Sequence, residues 1–213
     1  MLTGRKGVAF LRGLLLAGSM VLTTSSWGIH AAHAQAALSP ADRGWVIRVQ
    51  DAMNATTTMK GRFEQTAPDG QRTTGTVWLA RPGRMRFEYD KPSPLLLVAN
   101  DGKVVFRDTQ LDQTTEIPLD RTPLGLLLSQ HVSLSGDVTV TDFHHDNGMV
   151  QISAVRTAAP GEGTLVMFLS EQPLALRGWL VVDAQGRQTR VSLSDIVQGV
   201  SVSDNLFALP KEN

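Results

Sequence analysis

The sequence predicts a mainly β protein (α+β) in which about ten or eleven strands form a single curved antiparallel sheet with two helical segments. Between residues 58 and 196, short segments alternate apolar and polar side chains with the period of two that half-buried strands show. Tight-turn sequences separate these segments, among them Pro68-Asp69-Gly70, Asp101-Gly102 and Asp146-Asn147-Gly148. Strands do not alternate with long helices, so the pattern favours antiparallel over parallel pairing.

An amphipathic helix is predicted to precede the strands, from Pro40 to about Ala55. Ser39 is a candidate N-cap, and proline is favoured at the first helical position. The predicted apolar stripe of this helix repeats every four residues, at Ala41, Trp45, Val49 and Met53.

The predicted strands form two groups on either side of a second, short helix. In this second helix Thr122 is the expected N-cap, Pro123 follows at the first position, and leucines dominate residues 124–128. The expected strands cover residues 58–65, 73–79, 84–89, 95–99, 104–106 and 114–119 before the helix, and 138–143, 149–155, 164–169, 174–182 and 187–196 after it.

Residues 1–34 have the composition of a secretory signal peptide. A basic start is followed by an apolar stretch, residues 11–22, and by the small-x-small sequence Ala32-His33-Ala34. The stretch is shorter than the roughly 20 residues of a membrane span, which disfavours the alternative of an uncleaved anchor. Cleavage before Gln35 would leave residues 35–213 as a single domain, and export without cysteine suits a bacterial periplasm.

Composition and motifs disfavour several functional classes. The 20 basic residues balance the 20 acidic ones, so no nucleic-acid partner is predicted. Phosphate-loop and GxSxG sequences are missing, and Glu64, Glu88 and Glu116 lie on separate strands, so neither an enzyme nor a cofactor is expected. His144 and His145 should point to opposite faces of a strand, which disfavours a metal site.

The inward face of the predicted sheet is mainly aliphatic. This is compatible with either a ligand cavity or a solid apolar core. A sheet of this many strands can enclose a ligand cavity, because small barrels fill with side chains and larger ones do not. Alternatively, the two helices complete a solid core.

Three sequence runs resemble the LolA family of periplasmic outer-membrane lipoprotein carriers: VWLARPGRMRFEYDKP at 77–92, LLVANDGK at 96–103 and RTPLGLLL at 121–128. The resemblance implies an incomplete antiparallel β-barrel, covered by short helices and enclosing a hydrophobic cavity. It also implies a lid-holding role for Arg81. The cavity residues expected on this basis are Phe63, Val77, Leu79, Met85, Phe87, Leu97, Leu124, Leu127 and Leu128.

The same resemblance implies a monomeric carrier of acylated lipoproteins. An ABC-transporter complex of the inner membrane would release the cargo, and a LolB-type receptor, if present, would accept it at the outer membrane. LolB-type proteins are themselves lipoproteins, which a chain without cysteine is not. Two alternatives stay open: a LolA-like periplasmic regulator that senses lipid or lipoprotein, and an enzyme acting on lipids, which the missing nucleophile motif disfavours.

Overall fold

The computed structural model describes residues 38–210, and the predicted first helix is present as α1 (Pro40–Ala55). Ser39 Oγ accepts a hydrogen bond from the Asp42 amide at 3.1 Å, while the Asp42 carboxylate accepts one from the Ser39 amide at 3.2 Å. This reciprocal capping box satisfies two backbone donors at the start of the helix. The predicted signal peptide, residues 1–34, lies outside the described residues.

The apolar stripe of α1 differs from the prediction in the N-terminal half of the helix. The buried residues are Val46, Val49 and Met53, whereas Ala41 is exposed and Trp45 is half-buried. A strict four-residue repeat drifts around a helix of 3.6 residues per turn, so the stripe shifts to Val46.

The strands of the described residues form one antiparallel sheet of eleven strands, which confirms the predicted mainly β fold. Their order across the sheet is β6-β5-β4-β3-β2-β1-β11-β10-β9-β8-β7, so β6 and β7 are its two edges and the sheet is open. The strands are β1 (Thr58–Thr66), β2 (Arg72–Ala80), β3 (Arg84–Tyr89), β4 (Leu95–Asn100), β5 (Lys103–Asp108), β6 (Gln113–Pro118), β7 (Val138–Asp146), β8 (Met149–Arg156), β9 (Gly163–Ser170), β10 (Ala175–Asp183) and β11 (Gln188–Gln198).

The second predicted helix is α2 (Leu124–Leu128), but its expected cap is wrong. The Thr122 hydroxyl donates to the Leu119 carbonyl oxygen at 2.9 Å, inside the preceding short 3-10 turn, Leu119–Arg121. Pro123 therefore occupies the cap position of α2, with no side-chain cap. Helix α1, helix α2 and one face of the sheet bury a common apolar cluster, and we call that face the covered face.

Four aromatic side chains form the centre of the covered face. The Phe63 ring lies 4.5 Å from that of Phe87 and 5.1 Å from that of Tyr89, and Phe87 contacts Trp179 at 6.0 Å between centroids. Gly75 lies directly opposite Phe63 across the β1–β2 pair. Aliphatic residues surround this aromatic centre, in keeping with the mainly aliphatic interior predicted from composition.

Burial of Tyr89 should make the stability of the fold depend on pH in the alkaline range. Desolvation raises the pKa of Tyr89 from 10.0 to about 12, and its hydroxyl donates a hydrogen bond to Gln65 Oε1 at 3.0 Å. Below pH 10 the phenol is protonated in the folded and unfolded states alike. Between pH 10 and about 12 only the unfolded state loses the proton, so the free energy of unfolding should fall, by up to about 3 kcal/mol.

Urea unfolding of the parent and of Tyr89→Phe at pH 9 to 11 tests this expectation. The stability of the parent relative to the variant should shrink as the pH rises. If the free energies of unfolding of the parent and of Tyr89→Phe change in parallel with pH, Tyr89 has the same pKa in the folded and unfolded states.

The C-terminal segment, residues 201–209, packs on the outer face of the sheet and was not predicted. Phe207 is fully buried there against Ala80 and Val98. Arg84 Nη1 also contacts the Asp204 carboxylate at 2.6 Å. Among residues 38–210, no helix has the length and apolar character needed to cross a membrane.

Candidate functional site

Arg81 follows the last residue of β2 and connects both helices to the sheet. Its Nε donates a hydrogen bond to the Leu127 carbonyl oxygen at 3.0 Å. Its Nη1 donates to the carbonyl oxygens of Thr56, at 2.6 Å, and of Met53. We call these three hydrogen bonds the Arg81 latch.

The latch lies where two helices end. Helix α1 ends at Ala55 and α2 ends at Leu128, and the last carbonyl groups of a helix lack intrahelical partners. These carbonyls also carry the partial negative charge of the helix C-terminus, which favours a nearby cation. A single guanidinium therefore satisfies acceptors from both helix ends.

The Arg81 charge has only neutral acceptors. No carboxylate among residues 38–210 pairs with it, and burial lowers its pKa. Hydrogen bonds to a charged group stabilise the closed arrangement, but removing the charge from water costs free energy. The three hydrogen bonds offset part of this desolvation cost.

Helix α2 has further contacts: Leu127 and Leu128 are buried in the common cluster, and its backbone accepts other hydrogen bonds. The Gly83 amide donates to the Leu128 carbonyl at 2.9 Å, and the Ser129 hydroxyl donates to the Gly125 carbonyl at 3.0 Å. A space of about 550 Å³ separates the outer side of α2 from the turns around Gly83 and Gly102. This five-residue helix therefore has open space along one side as well as on the covered face.

Side chains of α1 also hold the segment that follows α2, a contact the sequence analysis missed. Asn54 forms two hydrogen bonds with the backbone of Val132, at 2.8 and 3.0 Å. Gln50 accepts a third from the Leu134 amide at 3.0 Å. Val132 and Leu134 are buried in the common cluster. The alternation of apolar and polar residues at 132–135 was the available sequence signal.

All nine residues expected in the cavity belong to, or pack against, the apolar cluster of the covered face. Leu97 and Leu124 are half-buried. The structure thus brings the nine residues together, and their contact with lipid stays a prediction. The other seven are almost completely buried: Phe63, Val77, Leu79, Met85, Phe87, Leu127 and Leu128.

The free space on the covered face is unevenly distributed. Beneath Arg81, next to Met53 and Leu79, the open volume is only about 20 Å³. Beside the N-terminal end of α2, a larger pocket of about 490 Å³ lies between α2 and strands β3, β4, β10 and β11. We call it the α2 pocket. Its apolar lining comprises Met85, Phe87, Leu97, Val104, Ile117, Pro123, Leu124, Trp179, Val181 and Val191.

The two adjacent histidines have separate partners. His144 Nε2 lies 2.9 Å from the Asp142 carboxylate, and His145 Nε2 lies 3.2 Å from that of Glu171. The His145 ring also packs against Trp45 of α1 at 4.2 Å. Within residues 38–210, no group of three or more His, Asp or Glu side chains is arranged to hold a metal ion.

Comparison with known proteins supports the resemblance in sequence. The family model described as "Outer membrane lipoprotein carrier protein LolA" matches residues 54–210. A protein of Methylococcus capsulatus named outer-membrane lipoprotein carrier protein is 28% identical over 88% of this chain and 90% of its own length. Another with the same name, from Leptothrix cholodnii, is 30% identical over 83% of this chain and 81% of its own.

Among solved structures, a LolA superfamily protein of Nitrosomonas europaea is 8% identical, with a TM-score of 0.44. That alignment covers 81% of this chain and 98% of the other. The family match by itself spans well over half of the 213 residues. The chain therefore belongs to the LolA family of outer-membrane lipoprotein carrier proteins.

Proposed function

We propose that this protein carries acylated lipoproteins through the periplasm by enclosing their acyl chains between the covered face and the two helices. The observation that carries the proposal is the Arg81 latch, which connects α1 and α2 over an apolar sheet face that includes Phe87 and Leu97. Both carrier relatives reported above align over most of this chain. They favour the carrier over the regulator and over a lipid-processing enzyme.

The need for a carrier follows from the free energy of hydration. Each CH₂ group exposed to water costs about 0.8 kcal/mol, so exposing up to three acyl chains costs on the order of 30 kcal/mol. The α2 pocket, at about 490 Å³, lies within the usual range of roughly 300–1,000 Å³ for small-ligand sites. Three chains need more space, which the covered face can supply only if α2 and α1 move apart.

The Arg81 latch would control this movement. The closed, empty form keeps the three hydrogen bonds, and the loaded form gives them up as the helices separate. An energised inner-membrane partner, an ABC transporter, would supply the free energy of loading. Reformation of the latch would then assist release to the outer membrane, to a LolB-type receptor where one exists.

Release of lipoproteins from membranes tests the proposed function. Purified protein is added to spheroplasts that present an acylated lipoprotein, and the soluble fraction is analysed for a complex of the two. A form of the same lipoprotein without acyl chains is the matched control. A complex with the acylated form alone supports the carrier, and equal recovery of complexes with both forms would contradict it.

Leu124→Glu should weaken binding of a fluorescent hydrophobic probe. Leu124 lines the α2 pocket, and a carboxylate introduced there loses hydration in a mainly apolar site. The control is Leu111→Glu, because Leu111 is 63% exposed and does not line this pocket. Fluorescence titration should show at least a tenfold weaker affinity for Leu124→Glu, a cost of about 1.4 kcal/mol or more. Equal affinities of both variants and the parent would place the probe elsewhere.

A further inference from the structure

The latched structure has ligand-sized space on the covered face although the latch is closed. The volume beneath Arg81 is about 20 Å³, close to that of a single water molecule, whereas the α2 pocket has about 490 Å³. None of the residues that line the α2 pocket contributes a carbonyl to the latch. The pocket is therefore open to a ligand while all three latch bonds are intact.

The lining of the α2 pocket fits one hydrocarbon chain. Phe87 and Trp179 lie on the sheet side of the pocket, and Leu124 and Pro123 form the wall on the helix side. A mainly apolar lining with a few polar groups, here including Gln65 and Thr189, is typical of sites for small ligands. The volume is too small for three chains but sufficient for one.

The rim of the pocket carries one unpaired cation. Arg187 pairs with Asp183 at 2.7 Å, and Glu162 pairs with Arg156. Arg121, also on the rim, is exposed, and no carboxylate among residues 38–210 pairs with it. An anionic group at the end of a bound chain would find a free positive charge there.

We propose that the latched protein binds one acyl chain of an anionic single-chain amphiphile in the α2 pocket, with the anionic group beside Arg121 and without opening of the Arg81 latch. This inference rests on the proposed function for the class of ligand and adds an order of events. The first chain of the cargo docks beside α2 while the Arg81 latch is closed, and the remaining chains require the latch to open.

Trp179, in the wall of the pocket, provides the readout. The full chain contains four tryptophans, and changing Trp27, Trp45 and Trp78 to phenylalanine leaves Trp179 as the sole emitter. The probe is dibromostearate, whose bromine atoms quench a tryptophan in close contact. Quenching should saturate at one molecule per chain. Absence of quenching would overturn the inference, and so would saturation at two or more.

Two substitutions test the position of the ligand. Leu124→Glu should remove most of the quenching. Arg121→Glu, at an exposed position that does not threaten folding, should weaken dibromostearate binding about fivefold, the upper range for an exposed charge pair. A neutral brominated monoacylglycerol should bind this variant and the parent equally well. Unchanged dibromostearate affinity in Arg121→Glu would contradict the assigned orientation.

Arg81→Leu separates this inference from the proposed function. If the single chain binds without separation of α1 and α2, this variant should bind dibromostearate within twofold of the parent, although it binds an intact lipoprotein more tightly. An equal gain in affinity for both ligands would place the chain behind the latch and overturn the inference. Failure to solubilise lipoprotein despite normal quenching would instead contradict the carrier function.

Discussion

Arg81→Leu is expected to hold lipoprotein at least tenfold more tightly than the parent and to transfer it poorly to acceptor membranes. The guanidinium donates to three carbonyl groups in the closed form, and a hydrogen bond to a charged group contributes about 1.5 to 3 kcal/mol. Loss of one such bond corresponds to about tenfold in an equilibrium constant. The substitution removes these bonds from the closed form only, so the fully loaded form, in which the helices have separated, is favoured.

Transfer from purified, preloaded protein to acceptor vesicles measures this effect. The control is Arg72→Leu at the other end of β2, where the side chain is 73% exposed and lies 3.7 Å from Glu64. The control should transfer lipoprotein at the parental rate. Parental transfer by Arg81→Leu, with a normal circular dichroism spectrum, would show that Arg81 is only a structural residue at the end of the strand.

Gly75→Ala should destabilise the fold strongly. A Cβ atom at this position would lie 2.2 Å from the Glu88 carbonyl oxygen and 2.5 Å from the Phe63 ring, both closer than real contacts allow. The strand pair or the aromatic centre must therefore move. Overpacking of this kind costs about 3 kcal/mol, which corresponds to a melting temperature roughly 10 °C lower for a domain of this size.

The same substitution at Gly44 provides the control. Gly44 lies in α1, and nothing approaches its added Cβ within 4 Å. Alanine is favoured over glycine in a helix by about 0.5 to 1 kcal/mol, so Gly44→Ala should stabilise the protein slightly. In urea unfolding, the free energy of unfolding should fall for Gly75→Ala and rise slightly for Gly44→Ala. Equal stability of Gly75→Ala and the parent would mean that Phe63 does not pack as described.

The local sequence pattern, that is, hydrophobic periodicity, turn residues and helix caps, was sufficient to predict most of the fold. The alternation at Met85 and Phe87, the turn at Asp101–Gly102 and the start of α1 at Ser39 each depend on neighbouring residues, and each is confirmed. The cap of α2 was predicted wrongly because Thr122 bonds back to Leu119 in a turn that the sequence pattern does not reveal.

The contacts that build the site are nonlocal, so pattern alone did not predict them. Arg81 bonds to carbonyls 25, 28 and 46 residues away, and without the family resemblance it reads as an ordinary residue at a strand end. The contact between Asn54 and Val132 spans 78 residues. Hydrogen bonds to main-chain carbonyls require no particular residue type at the acceptor, so they leave no signature in the sequence.

Native mass spectrometry of the protein purified from the periplasm would show whether it encloses lipoprotein acyl chains. We expect a one-to-one complex with intact acylated lipoprotein, enriched in Arg81→Leu and depleted in Leu124→Glu. Recovery of the protein with free lipid only, or with lipoprotein that lacks acyl chains, would contradict it.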